Sequence, residues 1–314
     1  MRIIFMGTPD FAVGTLEEII KAGHEVVLVV TQPDKPKGRS KALQYPPVKE
    51  CALLHGIEVF QPTKIRESAN YEILKKYNPD IIIVAAFGQI LPKSILDLPK
   101  YGCVNVHASL LPKYRGAAPI QWSVINGDEI TGVTTMRMDE GLDTGDMIAK
   151  RQYRIAEDET GGSLFDKLSD IGAKLCVETM EMIENNTAEY TPQNNEEATH
   201  TSMINKELGC INWGMTATEI ERLIRGLNPW PSAYSRLNGK TFKIWKAKVV
   251  DLPDDISPLV TPGCIYKVEK NAMYVKCGKD ALSLLEVQLE GKKRMEIDAF
   301  LRGNSIDEGI SFSL

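Results

Sequence analysis

The sequence predicts an α/β protein in which a doubly wound, mainly parallel sheet is followed by a smaller β-barrel. Three observations carry this. Short runs rich in Val, Ile and Ala alternate with amphipathic segments through the first half of the chain, which is the signature of a parallel sheet. A polar stretch then interrupts the pattern. Beyond it, after a single helical segment, short turn-bounded apolar runs follow one another, as they do in an antiparallel barrel or sandwich.

Taken in order, Arg2 to Met6, Glu25 to Thr31, Ile81 to Ala86 and Cys103 to His107 read as buried strands. Phe11 to Lys21, stopped by Gly23, reads as a helix, as do Pro47 to His55, Tyr71 to Tyr77 and Pro119 to Asn126. A long helix from Gly162 to about Asn185 places Leu164, Leu168, Ile171, Leu175 and Met182 at near-helical spacing and closes the first domain. From Asn185 to Asn205 apolar residues almost vanish, so this stretch reads as a surface linker. The expected division is residues 1–188 for the first domain, 189–207 for the linker and 208–314 for the second domain. A helix over Thr216 to Leu227 must end at Asn228-Pro229-Trp230-Pro231. Strands are expected at Lys240 to Val250, Gly263 to Glu269, Ala272 to Cys277 and Ala281 to Glu290, with Glu296 to Leu301 as a last candidate.

Composition narrows the class. At 314 residues, two domains are the leading expectation, and 43% hydrophobic with 25% charged residues and a mean hydropathy of -0.18 describe a folded soluble protein. The opening apolar run, Ile3 to Met6, is too short for a signal-peptide core or a membrane span, so a cytoplasmic location is expected. Cys51, Cys103, Cys176, Cys210, Cys264 and Cys277 form no C-x-x-C pair; reduced thiols are expected, with neither a disulfide framework nor a metal site. The net charge of -5 is unevenly spread: residues 209–314 sum to +2 and residues 1–208 to -7. The second domain is therefore the better partner for a polyanion.

Two familiar nucleotide motifs are missing. Met6-Gly7-Thr8-Pro9-Asp10-Phe11 sits between a strand and a helix yet lacks G-x-G-x-x-G, and no G-x-x-x-x-G-K-[ST] loop occurs. The informative stretch is Val104-Asn105-Val106-His107-Ala108-Ser109-Leu110-Leu111-Pro112-Lys113-Tyr114-Arg115-Gly116, where polar residues interrupt a buried strand. Alternation puts Asn105 and His107 on one side of that strand, at the carboxyl end where doubly wound sheets hold ligands. Downstream, Met138-Asp139-Glu140-Gly141-Leu142-Asp143-Thr144-Gly145-Asp146 places four carboxylates in a loop between two strands. The EF-hand spacing is absent, and spacing alone does not choose among the four.

Ser109-Leu110-Leu111-Pro112 with Tyr114-Arg115-Gly116, preceded by Asn105 and His107, resembles the signature of the folate-dependent formyltransferases. Gly7-Thr8-Pro9-Asp10-Phe11, Phe87-Gly88-Gln89-Ile90-Leu91-Pro92 and Gly226-Leu227-Asn228-Pro229-Trp230-Pro231 extend the likeness over the whole chain, to members that act on methionyl-tRNA. The resemblance implies a Rossmann-like formyltransferase fold with a C-terminal barrel resembling an OB-fold. It also implies a catalytic trio of Asn105, His107 and Asp143, 10-formyltetrahydrofolate as formyl donor and initiator methionyl-tRNA as partner. Asn105 and His107 are then expected to donate hydrogen bonds to the formyl oxygen as it gains charge, and Asp143 to support His107 and orient a water.

For the folate, Phe87, Gly88, Gln89, Ile90, Leu91 and Pro92 together with Ser109, Leu110, Leu111 and Pro112 are expected to form an apolar slot beside the trio. A mobile basic loop over Gln32 to Lys49, with Lys35, Lys37, Arg39 and Lys41, is implied to meet the acceptor end of the tRNA. Lys240, Lys246 and Lys248 share one side of the first long barrel strand and are further candidates, with Lys243 opposed unless a bulge intervenes. No membrane partner is expected, and the chain is expected to work as a monomer. Three rivals stay open at this point: transfer to a sugar-nucleotide amine, hydrolysis of 10-formyltetrahydrofolate, and a binding protein without chemistry. A covalent route through Cys103, two residues before Asn105, is a further alternative.

Overall fold

The computed structural model describes residues 1–37 and 42–313, which form two compact units. The first comprises Met1–Pro119, Ile130–Arg154 and Phe165–Thr201; the second comprises Ile120–Glu129, Ile155–Leu164 and Ser202–Leu314. In chain order the first half holds β1 (Arg2–Gly7), α1 (Asp10–Lys21), β2 (Glu25–Val30), β3 (Lys35–Lys37), β4 (Ala42–Gln44), α2 (Pro47–Leu54), β5 (Val59–Phe60), α3 (Ser68–Lys75) and β6 (Ile81–Ala85). There follow α4 (Lys93–Leu96), β7 (Cys103–His107), β8 (Arg115–Gly116), α5 (Pro119–Asn126), β9 (Ile130–Arg137), β10 (Met147–Arg154), α6 (Gly161–Glu184) and β11 (His200–Thr201).

Seven strands form one sheet in the order β10-β9-β7-β6-β1-β2-β5. The five from β7 to β5 run parallel, and β9 and β10 are antiparallel additions at one side. Ile3, Ile4, Phe5 and Met6 of β1 and every residue of β6 are buried, because helices cover both faces of a parallel sheet. That is why these strands are continuous apolar runs. The chain leaves β1 toward β2 on one side and later returns to β6 on the other, so their carboxyl ends flank a topological switch point. Gly7 lies there with no room for a side chain: a Cβ would stand 2.9 Å from Ala85 O and 2.7 Å from Ala12 Cβ.

The second unit is built from α7 (Ala217–Gly226), β12 (Ala233–Leu237), β13 (Lys240–Val250), β14 (Ile265–Glu269), β15 (Ala272–Lys276), β16 (Ala281–Leu289), β17 (Met295–Glu296) and α8 (Ile297–Gly303). The main strands run β12-β13-β16-β15-β14, all antiparallel. Residues 309–313 then close the sheet on itself. Ile265 N donates to Ile310 O and Phe312 N to Gly263 O on the β14 side, while Ser313 and Arg236 exchange two backbone hydrogen bonds with the β12 side. Phe242, Ile244, Met273, Val275, Leu282, Leu284 and Val287 fill the interior. Helix α7 starts with a capping box between Thr216 and Glu219 and buries Ile220 and Ile224 in the same core.

Several expectations are corrected. Glu296 to Leu301 is not a strand beyond Glu296: Ile297 and Phe300 are buried three residues apart, Asp298 pairs with Arg302 at i,i+4, and the segment is α8. Strand β12, with Ala233, Ser235 and Leu237 buried in alternation, was hidden behind the prolines that precede it. The basic segment is not a single open loop, since β3 and β4 pair as an antiparallel hairpin and α2 begins at Pro47. Arg39 and Lys41 lie outside the described residues. All six cysteines are free. Among the described residues no helix is long and apolar enough to cross a membrane.

Strand β9 tolerates no side chain at Gly132, where a Cβ would stand 2.2 Å from Arg151 O on β10 and 2.6 Å from Leu110 Cδ2. Gly132→Ala is expected to destabilise the first unit by about 1–3 kcal/mol through overpacking. A lowered urea midpoint with an unchanged slope checks it.

Candidate active site

The site is assembled on β7, which pairs with β6 on one side and β9 on the other. Asn105 and His107 lie at its carboxyl end, 9% and 7% exposed. Polar groups this buried need partners. His107 Nε2 lies 2.9 Å from Tyr114 O, so it carries the proton that this carbonyl accepts, and Nδ1 is the nitrogen left facing Asp143 Oδ2 at 3.7 Å. Asn105 Nδ2 lies 3.4 Å from Asp143 Oδ1. One carboxylate therefore faces both side chains.

Of the four carboxylates in the loop joining β9 to β10, Asp143 is the one that meets Asn105 and His107. Asp139 Oδ1 accepts from Gly141 N at 3.0 Å and Thr144 Oγ1 at 2.6 Å, and so shapes the loop. Glu140 is exposed. The backbone carbonyl of Asp146 accepts from Arg137 N at 2.8 Å, continuing the hairpin ladder. Asp143 adopts a left-handed backbone, φ +54°, and its Oδ2 accepts the Gly116 N–H at 2.8 Å. Gly116 itself is left-handed, and a Cβ there would meet Thr201 O at 2.6 Å.

The Ser109–Gly116 loop is tied down by its own side chains. Buried Thr134 donates to Ser109 O at 2.7 Å and accepts from Leu111 N at 3.1 Å, while Ser109 Oγ donates to Lys113 O at 2.7 Å. Lys150 Nζ donates to Leu111 O at 2.6 Å. Leu111 packs with Met136 and Met147, Leu110 is half-buried, and the Leu111–Pro112 peptide bond is cis.

Beside this loop, at the end of β6, Phe87 and Leu91 are core residues, whereas Ile90 is 71% exposed. Gly88 is exposed and left-handed, and Pro92 is half-buried. Gln89 Oε1 accepts from Ile65 N at 2.7 Å and Gln32 Nε2 donates to Phe87 O at 3.1 Å, which anchors the loop to its neighbours at the carboxyl edge. Among the described residues, the backbone N–H and C=O groups of Gly88, Gln89 and Ile90 have no protein partner. The loop thus offers backbone donors and acceptors not taken up by the described residues.

Cys103 lies on the same strand but serves another purpose. Its thiol donates to Ile95 O and Leu96 O of α4, and burial pushes it far above the usual thiol range. A buried, protonated thiol is a poor nucleophile. The only grouping of metal-ligand side chains found among the described residues, Glu17 on α1, Cys51 on α2 and His55 just after α2, includes none of the trio.

The basic candidates are placed separately. Lys35 is exposed on β3, and Lys37 is the last residue of that strand. On β13, Phe242, Ile244 and Ala247 are buried while Lys240, Lys246 and Lys248 are exposed. The register shifts on both sides of Lys246, which is the bulge that puts Lys243 on the outer face too, its ammonium 5.5 Å from the Trp245 ring centroid. Arg294 lies over the same ring at 4.6 Å and pairs with Glu286.

Sequence reasoning missed one part of this site. The polar stretch that ends in β11 supplies Gln193, Asn195, Thr199 and Thr201, which bond to residues 114–117 and to the Asp143 loop. Its composition is that of any solvated connection, and only the pairing of β11 with β8 distinguishes it.

Residues 1–180 match the formyl transferase family, and residues 203–305 match the formyl transferase C-terminal domain. The chain is 76% identical over 314 residues to a methionyl-tRNA formyltransferase of Agathobacter rectalis, with all of both chains covered. It is 55% identical to one from Lachnospira eligens, covering 99% of each chain. Among solved structures, a sugar 3N-formyl transferase, WlaRD, crystallised in the presence of dTDP and 5-N-formyl-THF, shares the fold with a TM-score of 0.65 at 21% identity, covering 93% of this chain and 99% of that one. HypX from Aquifex aeolicus in complex with tetrahydrofolic acid does so with a TM-score of 0.61 at 18% identity, covering 100% of this chain and 50% of that one. By both domain matches and by likeness along its whole length, the chain belongs to the formyl transferase family, in its methionyl-tRNA formyltransferase branch.

Proposed function

We propose that this chain transfers the formyl group of 10-formyltetrahydrofolate to the α-amino group of methionine carried by initiator tRNA, acting as a monomer in the cytoplasm. The observation that carries this reading is the meeting of the Asn105 amide, His107 Nδ1 and the Asp143 carboxylate at the carboxyl end of β7. Residues 1–188 are the catalytic domain in this reading, 189–207 the connection and 208–314 the tRNA-binding barrel.

The folate supplies an activated formyl group. The unpartnered backbone edge at Gly88 to Ile90 fits a heteroaromatic ring with donors and acceptors at its rim, and exposed Ile90 and half-buried Leu110 supply apolar contact. Attack by an amine develops negative charge on the formyl oxygen, and the Asn105 amide is the donor aimed at it. With Nε2–H committed to Tyr114 O, His107 serves in this reading as a base and not as the second donor to the formyl oxygen that the sequence suggested: its Nδ1 takes the proton leaving the attacking nitrogen and returns it to the departing one. Asp143, held by Gly116 N, steadies the imidazolium formed in between. No protein nucleophile is needed, because an α-amine with a reference pKa of roughly 7.7–8.0 is substantially neutral near pH 7.5.

For the tRNA, Lys35, Lys37, Arg39 and Lys41 of the basic segment and Lys240, Lys246 and Lys248 on the barrel are the phosphate-contacting residues of this reading. Lys243 joins them on the outer face of β13.

Purified protein is expected to formylate methionyl initiator tRNA in preference to methionyl elongator tRNA, with no turnover of the folate when acceptor is absent. Turnover without acceptor would identify a hydrolase, and selective transfer to a sugar-nucleotide amine would move the chain to another branch. Asn105→Ala and His107→Ala are each expected to lower kcat by about 10²-fold or more with unchanged thermal midpoints. Near-normal turnover in either variant removes its role. Arg39→Ala is expected to raise KM for charged tRNA several-fold and leave folate affinity unchanged, and an equal loss of folate binding in a titration would contradict that assignment.

A further inference from the structure

Asp143 is a non-glycine residue in the left-handed region, a conformation that costs of order 1 kcal/mol and persists only where its surroundings hold it. Its carboxylate is held by Gly116 N at 2.8 Å. Its main chain is held from elsewhere: Gln193 Nε2 donates to Asp143 O at 2.8 Å and to Gly145 O at 2.8 Å. The other end of the same amide, Oε1, accepts from Arg115 Nε at 3.0 Å and Nη2 at 2.8 Å. Arg115 is 4% exposed, and its Nη2 also donates to Asn195 Oδ1 at 2.9 Å.

This arrangement admits one orientation of the amide. A primary amide has two N–H donors on nitrogen and two acceptor sites on oxygen, and here both donors meet carbonyls while the oxygen meets a guanidinium fork. Reversing it would set N–H against N–H and oxygen against two carbonyl oxygens. Arg115 and Gly116 are adjacent on β8, so this one strand holds the Asp143 side chain directly and the Asp143 main chain through Gln193. The distance between the carboxylate and His107 Nδ1 is set by both.

We propose that Gln193 is a positioning residue for the reaction: it locks the main chain of Asp143 and Gly145 to Arg115 and so fixes where the Asp143 carboxylate stands against Asn105 and His107. The inference rests on the reading of Asp143 as part of the reacting site. Gln193 touches no reacting atom. Its effect belongs to the chemical step rather than to the binding of folate or tRNA.

Gln193→Glu is the discriminating variant, because it keeps the size and the partnership with Arg115 while facing the carbonyls of Asp143 and Gly145 with an acceptor instead of a donor. Gln193→Ala removes both links. Both variants are expected to lower kcat about tenfold or more with KM for the folate and for methionyl-tRNA within about twofold, and the Glu variant to melt within about 2 °C of the parent. Parental kcat in Gln193→Glu overturns the proposal, as does a rise in KM at constant kcat. A loss of kcat that only follows a loss of folded protein in both variants overturns it as well, since that is a purely structural role. His107→Ala, assayed alongside, separates the two ideas. Full turnover in His107→Ala removes the reading of the site itself, whereas an inactive His107→Ala enzyme beside a fully active Gln193→Glu enzyme removes the role of Gln193 alone.

Discussion

A strand buried on both faces has no water to satisfy an amide or an imidazole, and β7 carries one of each near its end. Left without partners, each such group would cost about 1–3 kcal/mol. Asp143 Oδ1 accepts from the Asn105 amide and Tyr114 O accepts from Nε2 of His107, which leaves Nδ1 of the imidazole facing the carboxylate. The rest of the first unit can be understood as the means of bringing a carboxylate to that point. Strand β9 pairs with β7 and delivers the hairpin loop, Gly145 lets the loop pass within a Cβ's reach of Arg137 O, and β8 supplies the N–H that holds the carboxylate. Burial of polar groups, usually a liability in a core, here selects one geometry.

The legibility of this fold in its sequence followed the strength of the local signal. Strands β1, β6 and β7 announced themselves because coverage on both faces demands unbroken apolar runs. Two-residue β5 leaves no pattern to find, and β12 was obscured by Pro229 and Pro231, although its alternation was present. At Ile297 and Phe300, apolar residues three apart marked a helical turn that a short window takes for a strand. Asn105 and His107 were visible as polar interruptions of a buried strand. Asp143 was not separable from Asp139, Glu140 and Asp146 by spacing, since which carboxylate turns inward depends on a left-handed backbone and a distant N–H. Gln193 gave no sign at all, being a polar residue in a polar stretch whose importance lies only in what folds against it.

The barrel shows how one irregularity changes a surface. Strict alternation along β13 would oppose Lys243 to Lys246 and Lys248, and would turn one set toward Phe242 and Ile244. The bulge beside Lys246 shifts the phase by one residue, so all three lysines leave the core and Ala247 enters it. Trp245, flanked by Lys243 and Arg294, occupies the same outer face. A cationic outer surface is thereby made without burying a single ammonium group.

The hydrogen bond between His107 Nε2 and Tyr114 O has a consequence for the bookkeeping of protons over a full catalytic cycle. Because one nitrogen stays engaged, arrival and departure of the proton in the proposed reaction both occur at Nδ1. The imidazole ends each turnover in the tautomer and ring orientation in which it began. No ring flip and no exchange with bulk water is needed to reset it, so in the proposed reaction regeneration of the base adds no step between one turnover and the next.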